Sequence, residues 1–153
     1  MSSSPSSFFA TAPRGLEALL LNELVSLGAS QAQEVPGGVS FKGGWDACYR
    51  ANLWSRVASR VLWKVGDFAY RNEADVYEQG KSIDWTAYFG VGRTLRVNVT
   101  AQKSPLKSLE FATLRIKDAV CDRFRDQLGR RPDVDRTAPD VRIHAFLEGS
   151  RAT

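Results

Sequence analysis

The chain alternates between two hydrophobic periods, and the switches between them predict its elements. Phe8-Phe9-Ala10-Thr11-Ala12 is a short apolar run stopped by Pro13, as a buried strand would be. Leu16, Leu19, Leu20, Leu24 and Leu27 then recur at helical spacing, with Glu17 and Glu23 off that face and Gly28 placed to end the helix. Residues 31–35 and 39–42 flank Pro36-Gly37-Gly38 and read as a β-hairpin. Gly43-Gly44 breaks the second run, residues 45–53 suit another helix, and residues 60–69, with Val61, Trp63 and Val65 alternating, suit a fourth strand. The order β-α-β-β-α-β over residues 8–69 predicts a ferredoxin-like unit, its helices packed on one face of an antiparallel sheet.

Arg71-Asn72-Glu73 is a polar hinge, and a second unit is expected over residues 72–153. It opens with a helix over 73–81 and an apolar cluster of Ile83, Trp85 and Phe89. Residues 94–101 alternate as a strand with Leu95, Val97 and Val99 on one side, and Lys103-Ser104-Pro105 turns the chain. A long helix is expected over 106–128, its stripe formed by Leu109, Ala112, Ile116, Ala119, Val120 and Phe124 and its end marked by Gly129. The opposite face carries Lys107, Arg115, Asp118, Asp122 and Arg125 but also Phe111 and Leu114, so a further element covers those two or they are partly exposed. A strand over 141–147 completes an α+β chain of two small units.

With 153 residues, one ordinary domain or two small ones can each bury a modest core. The net charge of +4 and a pI near 9.3 hint at an anionic partner. Residues 103–142 hold ten Lys or Arg against seven Asp or Glu, so this stretch alone supplies three of the four excess charges. Cys48 and Cys121 are far apart, lack neighbouring Cys or His, and read as buried reduced thiols of a cytoplasmic protein rather than metal ligands. Met1-Ser2-Ser3-Ser4-Pro5-Ser6-Ser7 reads as a disordered tail over residues 1–7, with neither the basic start nor the apolar run of a secretory signal. No run approaches the ~18–20 apolar residues of a membrane span, so no membrane partner is expected.

Candidate chemistry is sparse. The sole histidine, His144, falls in a strand without an identifiable relay partner, and reads as a packing or edge residue. Gly90-Val91-Gly92-Arg93-Thr94-Leu95 begins like a phosphate loop but leads into a strand and lacks the third glycine, so it reads as a turn. Asp118, Asp122 and Asp126 lie beside Arg115, Arg123 and Arg125, the pattern of a salt-bridged solvated face. No catalytic residue and no metal ligand is assigned.

The cations form the one positive signal. Lys103 and Lys107 flank Pro105 near a helix start, where free N–H groups favour anions. Arg130 and Arg131 follow the helix end, and Arg136 and Arg142 bracket Pro139; Arg56, Arg60 and Lys117 form a second tier. The stretch from Arg130 to Ile143 is either a phosphate grip or a solvated connector, and its residues alone do not choose.

An ordered series of motifs resembles a known family. Arg14-Gly15-Leu16-Glu17 with Leu19-Leu20, Glu23-Leu24 and Leu27-Gly28-Ala29, then Gly37-Gly38-Val39-Ser40-Phe41-Lys42-Gly43, Asn52-Leu53-Trp54-Ser55-Arg56 and Ala58-Ser59-Arg60 carry its first half. Ile83-Asp84-Trp85-Thr86, Ile116-Lys117-Asp118-Ala119-Val120, Arg131-Pro132-Asp133-Val134-Asp135-Arg136 and Ala138-Pro139-Asp140-Val141-Arg142-Ile143 carry its second. Over residues 8–148 the chain resembles the large-subunit (23S) ribosomal RNA guanine-N2 methyltransferases that carry a THUMP domain.

The resemblance implies a ferredoxin-like domain at 8–69, an RNA-binding THUMP domain at 72–153, and beyond them a Rossmann-like methyltransferase domain using S-adenosylmethionine. That catalytic domain carries a glycine-rich cofactor loop and an Asn/Asp-Pro-Pro-Tyr/Phe motif. This chain has neither, and no Pro-Pro pair at all, so the cofactor is expected outside it. The implied role is to bind and position large-subunit ribosomal RNA; oligomeric state is left open. The THUMP-like domain is expected to be incomplete at its C-terminal end, leaving an unpaired sheet edge near residues 141–147. Residues 8–69 should then exchange amide hydrogens more slowly than residues 72–153. Two rivals stand beside this: a front end of an enzyme whose natural polypeptide runs on past Thr153, and a protein-interaction module using the ferredoxin-like sheet or Phe111 and Leu114, without RNA binding of its own.

Overall fold

The computed structural model describes residues 5–153; residues 1–4 of the expected tail lie outside the described residues. The chain divides into two compact units, the first ending at Val65 and the second running Gly66–Thr153.

The first unit is built as β1 (Ser6–Thr11), α1 (Glu17–Ser26), β2 (Ser30–Val35), β3 (Gly38–Gly43), α2 (Trp45–Trp54) and β4 (Arg60–Trp63), with sheet order β2-β3-β1-β4 and every pairing antiparallel. This is the expected β-α-β-β-α-β arrangement. Strand alternation sends Phe8, Ala10, Val39 and Phe41 to one face, where Leu20 and Leu24 of α1 and Cys48 and Ala51 of α2 bury them. Ser6 and Ser7, expected in the tail, instead pair with Gly43 and Lys42.

The stripe expected on the first helix is corrected. Leu20 and Leu24 are buried, but Leu16 and Leu19 are 40% and 56% exposed. The helix starts only at Glu17, so Leu16 is its cap residue, and Leu21 rather than Leu19 packs on the core. Glu17 closes the entry: its carboxylate accepts from the Gly15 amide (2.7 Å) and from the Gly37 amide at the hairpin turn (3.2 Å). Gly28, at φ +96°, takes the left-handed conformation that stops the helix.

The run expected as one strand over 60–69 is split. Only Arg60–Trp63 joins the first sheet; β5 (Phe68–Ala69) belongs to the second. Gly66 lies between them with Ile83 so close that an added Cβ would fall 2.6 Å from its Cδ1. Alternation of Val61, Trp63 and Val65 shows an extended chain, not which sheet it pairs with.

The second unit continues with α3 (Glu73–Ser82), a 3-10 turn at Trp85–Ala87, β6 (Leu95–Gln102), α4 (Leu109–Leu128), β7 (Val141–Glu148) and β8 (Arg151–Ala152), in sheet order β5-β8-β7-β6. β6 and β7 are parallel, and α4 is the crossover between them. Val76 of α3, Trp85, Leu95, Val97, Leu147 and the α4 stripe Ala112, Ile116, Ala119, Val120 and Phe124 are buried. Phe124 meets the Phe89 ring at 4.9 Å. The Asp face of α4 turns out to be a seam to α3: Asp126 holds Lys81 at 2.7 Å, Asp122 accepts from the Tyr77 hydroxyl at 2.7 Å, and Arg115 lies over the Tyr77 ring at 4.2 Å.

The edge expected bare is partly covered. β8 returns against β7 at Leu147 and Glu148, and Phe146 exchanges backbone hydrogen bonds with Thr153. Tyr70, buried, fixes this corner through its hydroxyl, which bonds the Gly149 carbonyl (2.7 Å) and the Ser104 hydroxyl (2.8 Å). Among the described residues, residues 141–145 have no strand on that side.

Candidate nucleic-acid interface

The segment following α4 is an edge strand in miniature. The Leu95 amide donates to the Asp133 carbonyl (2.9 Å) and the Asp135 amide to the Leu95 carbonyl (3.1 Å), so Val134 lies beside Leu95 as a one-residue parallel bridge. Buried Pro132 anchors its start. Asp135 then accepts from the Thr137 and Ala138 amides at 2.8 and 3.1 Å, closing the next turn. Asp140 and Thr94 clasp each other: the Thr94 amide donates to the Asp140 carboxylate (2.9 Å) and the Asp140 amide to the Thr94 hydroxyl (3.0 Å). These backbone donors hold both carboxyls below the usual Asp range. Apart from a 3.6 Å contact of Asp140 with Arg93, Asp135 and Asp140 are bonded by backbone donors rather than by arginines.

Three of those arginines fall in one row. Arg96 on β6 stands in register with Arg142 on β7, and its Nη1 donates to the Arg136 carbonyl at 2.7 Å on the other side. Leu95 and Val97 turn to the buried face, so alternation puts Arg96 and Arg142 on the opposite one. None of the three has a carboxylate at ion-pair distance among the described residues. Like charges directly opposite each other weaken a sheet, so the row costs stability that an uncharged pair would not. Arg pairs with phosphate through two parallel hydrogen bonds, which makes such a row suited to successive phosphates.

Beside the row, a cavity of about 300 Å³ opens between α4 and β6. Arg96, Arg136 and Lys117 bring cations to its wall, Glu110 and Thr113 bring polar oxygens, and Val97, Leu114 and Val134 are apolar. Lys117 is shared with Asp118, its neighbour in α4. Leu114 and Phe111 are 45% and 49% exposed, so no second element covers them among the described residues.

The other expected cations are not drawn into this row. Arg130 and Arg131 are exposed just past Gly129, whose φ of +68° ends α4. Lys103 follows β6 at φ +54°, and Lys107 precedes the Ser108 cap. The helix starts at Leu109 rather than residue 106 because the Ser108 hydroxyl accepts from the Phe111 amide (3.2 Å), so neither lysine sits in its first turn. Arg56 and Arg60 belong to the first unit. Arg56 follows α2 and its amide donates to Glu23 (2.8 Å), while Arg60 opens β4 opposite Thr11. Arg96 is the residue the sequence reading missed. Its signal was there: if residues 95 and 141 are paired as first inward positions of two strands, residues 96 and 142 meet on the outer face.

The residues present do not fit S-adenosylmethionine. β3 does lead through Gly43–Gly44 into α2, but the Asp46 carboxylate already occupies that helix start, 2.6 Å from where a Cβ on Gly44 would lie. The cofactor's carboxylate would meet like charge there, and no methyl-transfer step is assigned to these residues. Among the described residues no group of three His, Cys, Asp or Glu could hold a metal ion, and no helix is long and apolar enough to cross a membrane. Cys48 and Cys121 are buried free thiols whose burial raises their pKa, which makes them poor nucleophiles.

Comparison with known proteins agrees with this two-unit geometry. Residues 7–62 match the RlmL ferredoxin-like domain, and residues 70–153 match the THUMP domain. Ribosomal RNA large subunit methyltransferase K/L from Syntrophotalea carbinolica is 40% identical over 97% of this chain and 21% of its own length. The protein of the same name from Aeromonas salmonicida is 42% identical over 95% of this chain and 20% of its own. The chain thus spans about a fifth of the length of the curated relatives it matches. Among solved structures, a predicted N6-adenine-specific DNA methylase from Listeria monocytogenes superposes with a TM-score of 0.86 at 27% identity, over 97% of this chain and 39% of that one. SMU.472, a methyltransferase candidate complexed with SAH, also gives 0.86 and 27%, over 99% of this chain and 41% of that one. With more than half of its length, residues 70–153, matched by the THUMP domain and residues 7–62 by the RlmL ferredoxin-like domain, the chain belongs to the THUMP domain family, with a ferredoxin-like domain of the RlmL type in front.

Proposed function

We propose that this chain binds and positions large-subunit ribosomal RNA for an S-adenosylmethionine-dependent guanine-N2 methyltransferase, acting in the cytoplasm. The observation that carries the reading is Arg96 in register with Arg142, its guanidinium bonded to the Arg136 carbonyl on the other side, and none of the three with a carboxylate at ion-pair distance among the described residues. Structured RNA is gripped mainly through its backbone and shape, and a row of guanidinium groups on a sheet supplies that grip. The names of the methyltransferase K/L relatives supply the RNA class, and the SAH complex of SMU.472 makes S-adenosylmethionine the methyl donor of choice. Methyl transfer itself would belong to residues other than these 153. Lys103, Lys107, Arg130, Arg131 and Lys117 would add phosphate contacts around the row, and Arg56 and Arg60 further ones on the first unit.

The test is the affinity of the chain for a large-subunit ribosomal RNA stem-loop, read by fluorescence anisotropy. Arg96→Gln with Arg142→Gln should weaken binding at least tenfold, while Arg14→Gln, in the first unit and outside the proposed contacts, should leave it unchanged. Equal affinity of the double variant and the parent would remove the row from the interface.

A second reading, docking of a protein partner, is favoured by one observation. The outer face of α2 exposes Tyr49 (62%), Leu53 (78%) and Trp54 (68%), apolar side chains of the kind that anchor protein interfaces. Binding there would be insensitive to salt and lost on Leu53→Ser, and loss on Phe111→Ser would place it on α4 instead.

A further inference from the structure

We infer that the cavity between α4 and β6 takes one unpaired nucleotide of the bound RNA, guanine being preferred; the inference rests on the proposed RNA-binding role and deepens it. The cavity of about 300 Å³ lies at the small end of ligand sites and is roomy enough for a base. Its two halves differ in chemistry. Leu114 and Val134, 45% and 47% exposed, offer apolar surface that nothing else in the unit covers. Arg96 and Arg136 line it too, joined through the Arg96 guanidinium and the Arg136 carbonyl, with Lys117 as a third cation. Apolar walls beside guanidinium groups suit a base with its own 5′ or 3′ phosphate, because sequence-specific RNA recognition works on bases splayed out of the stack.

Glu110 sets the preference. Its carboxylate accepts hydrogen bonds and donates none, and a phosphate so close to it would be repelled. The group facing it must therefore be a donor edge. Of the four bases, guanine alone presents two neighbouring donors there, N1–H and the N2 amino group, which a carboxylate can accept side by side. Thr113, the other polar group, already donates its hydroxyl proton to the Leu109 carbonyl (2.7 Å), so it too faces the cavity as an acceptor. Uracil, with a single N3–H between two carbonyls, would set its own acceptors against both.

The experiment titrates the 153-residue chain with the pentanucleotides UUGUU and UUUUU and with a 12-base-pair RNA duplex, following amide NMR shifts and affinities. UUGUU should bind about tenfold more tightly than UUUUU, the scale of one bidentate base contact, and shift the amides of Glu110, Leu114 and Val134. Glu110→Gln should bring the two pentanucleotides to within about twofold of each other; a merely electrostatic role would raise both affinities alike and keep their ratio, which would overturn the guanine assignment. Duplex binding without cavity shifts from either pentanucleotide would overturn the nucleotide site and leave the RNA-binding role standing. No binding of any of the three RNAs would overturn both.

Discussion

Arg96 and Arg142 stand directly opposite each other on two parallel strands, sharing a face with no carboxylate at ion-pair distance from either among the described residues. Sheets normally place opposite charges, or one charge and one neutral group, at such positions. Here Asp135 and Asp140, in the loop that leads into β7, are held by backbone amides instead. The arrangement weakens the free protein and suits a polyanion, and the two consequences can be measured separately.

Arg142→Gln should leave the RNA-free chain as stable as the parent or more stable by a few tenths of a kcal/mol, the scale of an exposed charge pair. The same substitution should weaken RNA binding severalfold. Urea unfolding and anisotropy on one preparation check both; a clear loss of stability would mean that Arg142 serves the fold.

Phe124→Ala should cost about 3–5 kcal/mol, the usual range for a fully buried ring. Phe124 is 0% exposed and meets Phe89, so no rearrangement of α4 alone refills the space. Its urea midpoint should fall well below the parent's, whereas Leu114→Ala, on the exposed side of the same helix, should change it by less than about 1 kcal/mol.

Acid should destabilise the chain through carboxylates that are better bonded folded than unfolded. Burial raises the Glu23 pKa, but donation from the Ser55 hydroxyl and the Arg56 and Val57 amides outweighs it, and the net shift is downward. A lowered folded pKa contributes stability that is present above the unfolded value, about 4.3 for Glu, and lost as pH falls through the folded value. Glu17, Asp84, Asp126, Asp135 and Asp140 are shifted the same way. Glu23→Gln should cost about 1 kcal/mol at pH 7, and the gap to the parent should close below about pH 4. A gap constant from pH 7 to pH 3 would contradict the ionic origin of these contacts.

How far the fold was legible follows from the range of the forces involved. The hairpin around Pro36-Gly37, the stop at Gly28 and the stop at Gly129 are local backbone chemistry, and they lie where the sequence places them. Leu19 falls outside the stripe because, at 3.6 residues per turn, it lies about 120° from the middle of the buried pair Leu20 and Leu24, whereas Leu21 lies about 80° from it. The run 60–69 was misread because pairing partners such as Arg151–Ala152 lie over eighty residues away. The cations of residues 103–142 were visible as a charge excess, yet Arg96 was not among the candidates. Its significance comes from the parallel pairing of β6 with β7, which a charge count along the chain does not register.

The central claim is that several cations of this chain meet RNA phosphates at once, and the salt dependence of affinity tests it most directly. If about four of them do, the logarithm of the association constant for a ribosomal RNA stem-loop should fall with the logarithm of salt concentration at a slope of roughly −3. Arg96→Gln with Arg142→Gln should make that slope shallower by about 1.5. A flat response to salt, or a slope unchanged in the double variant, would contradict the account.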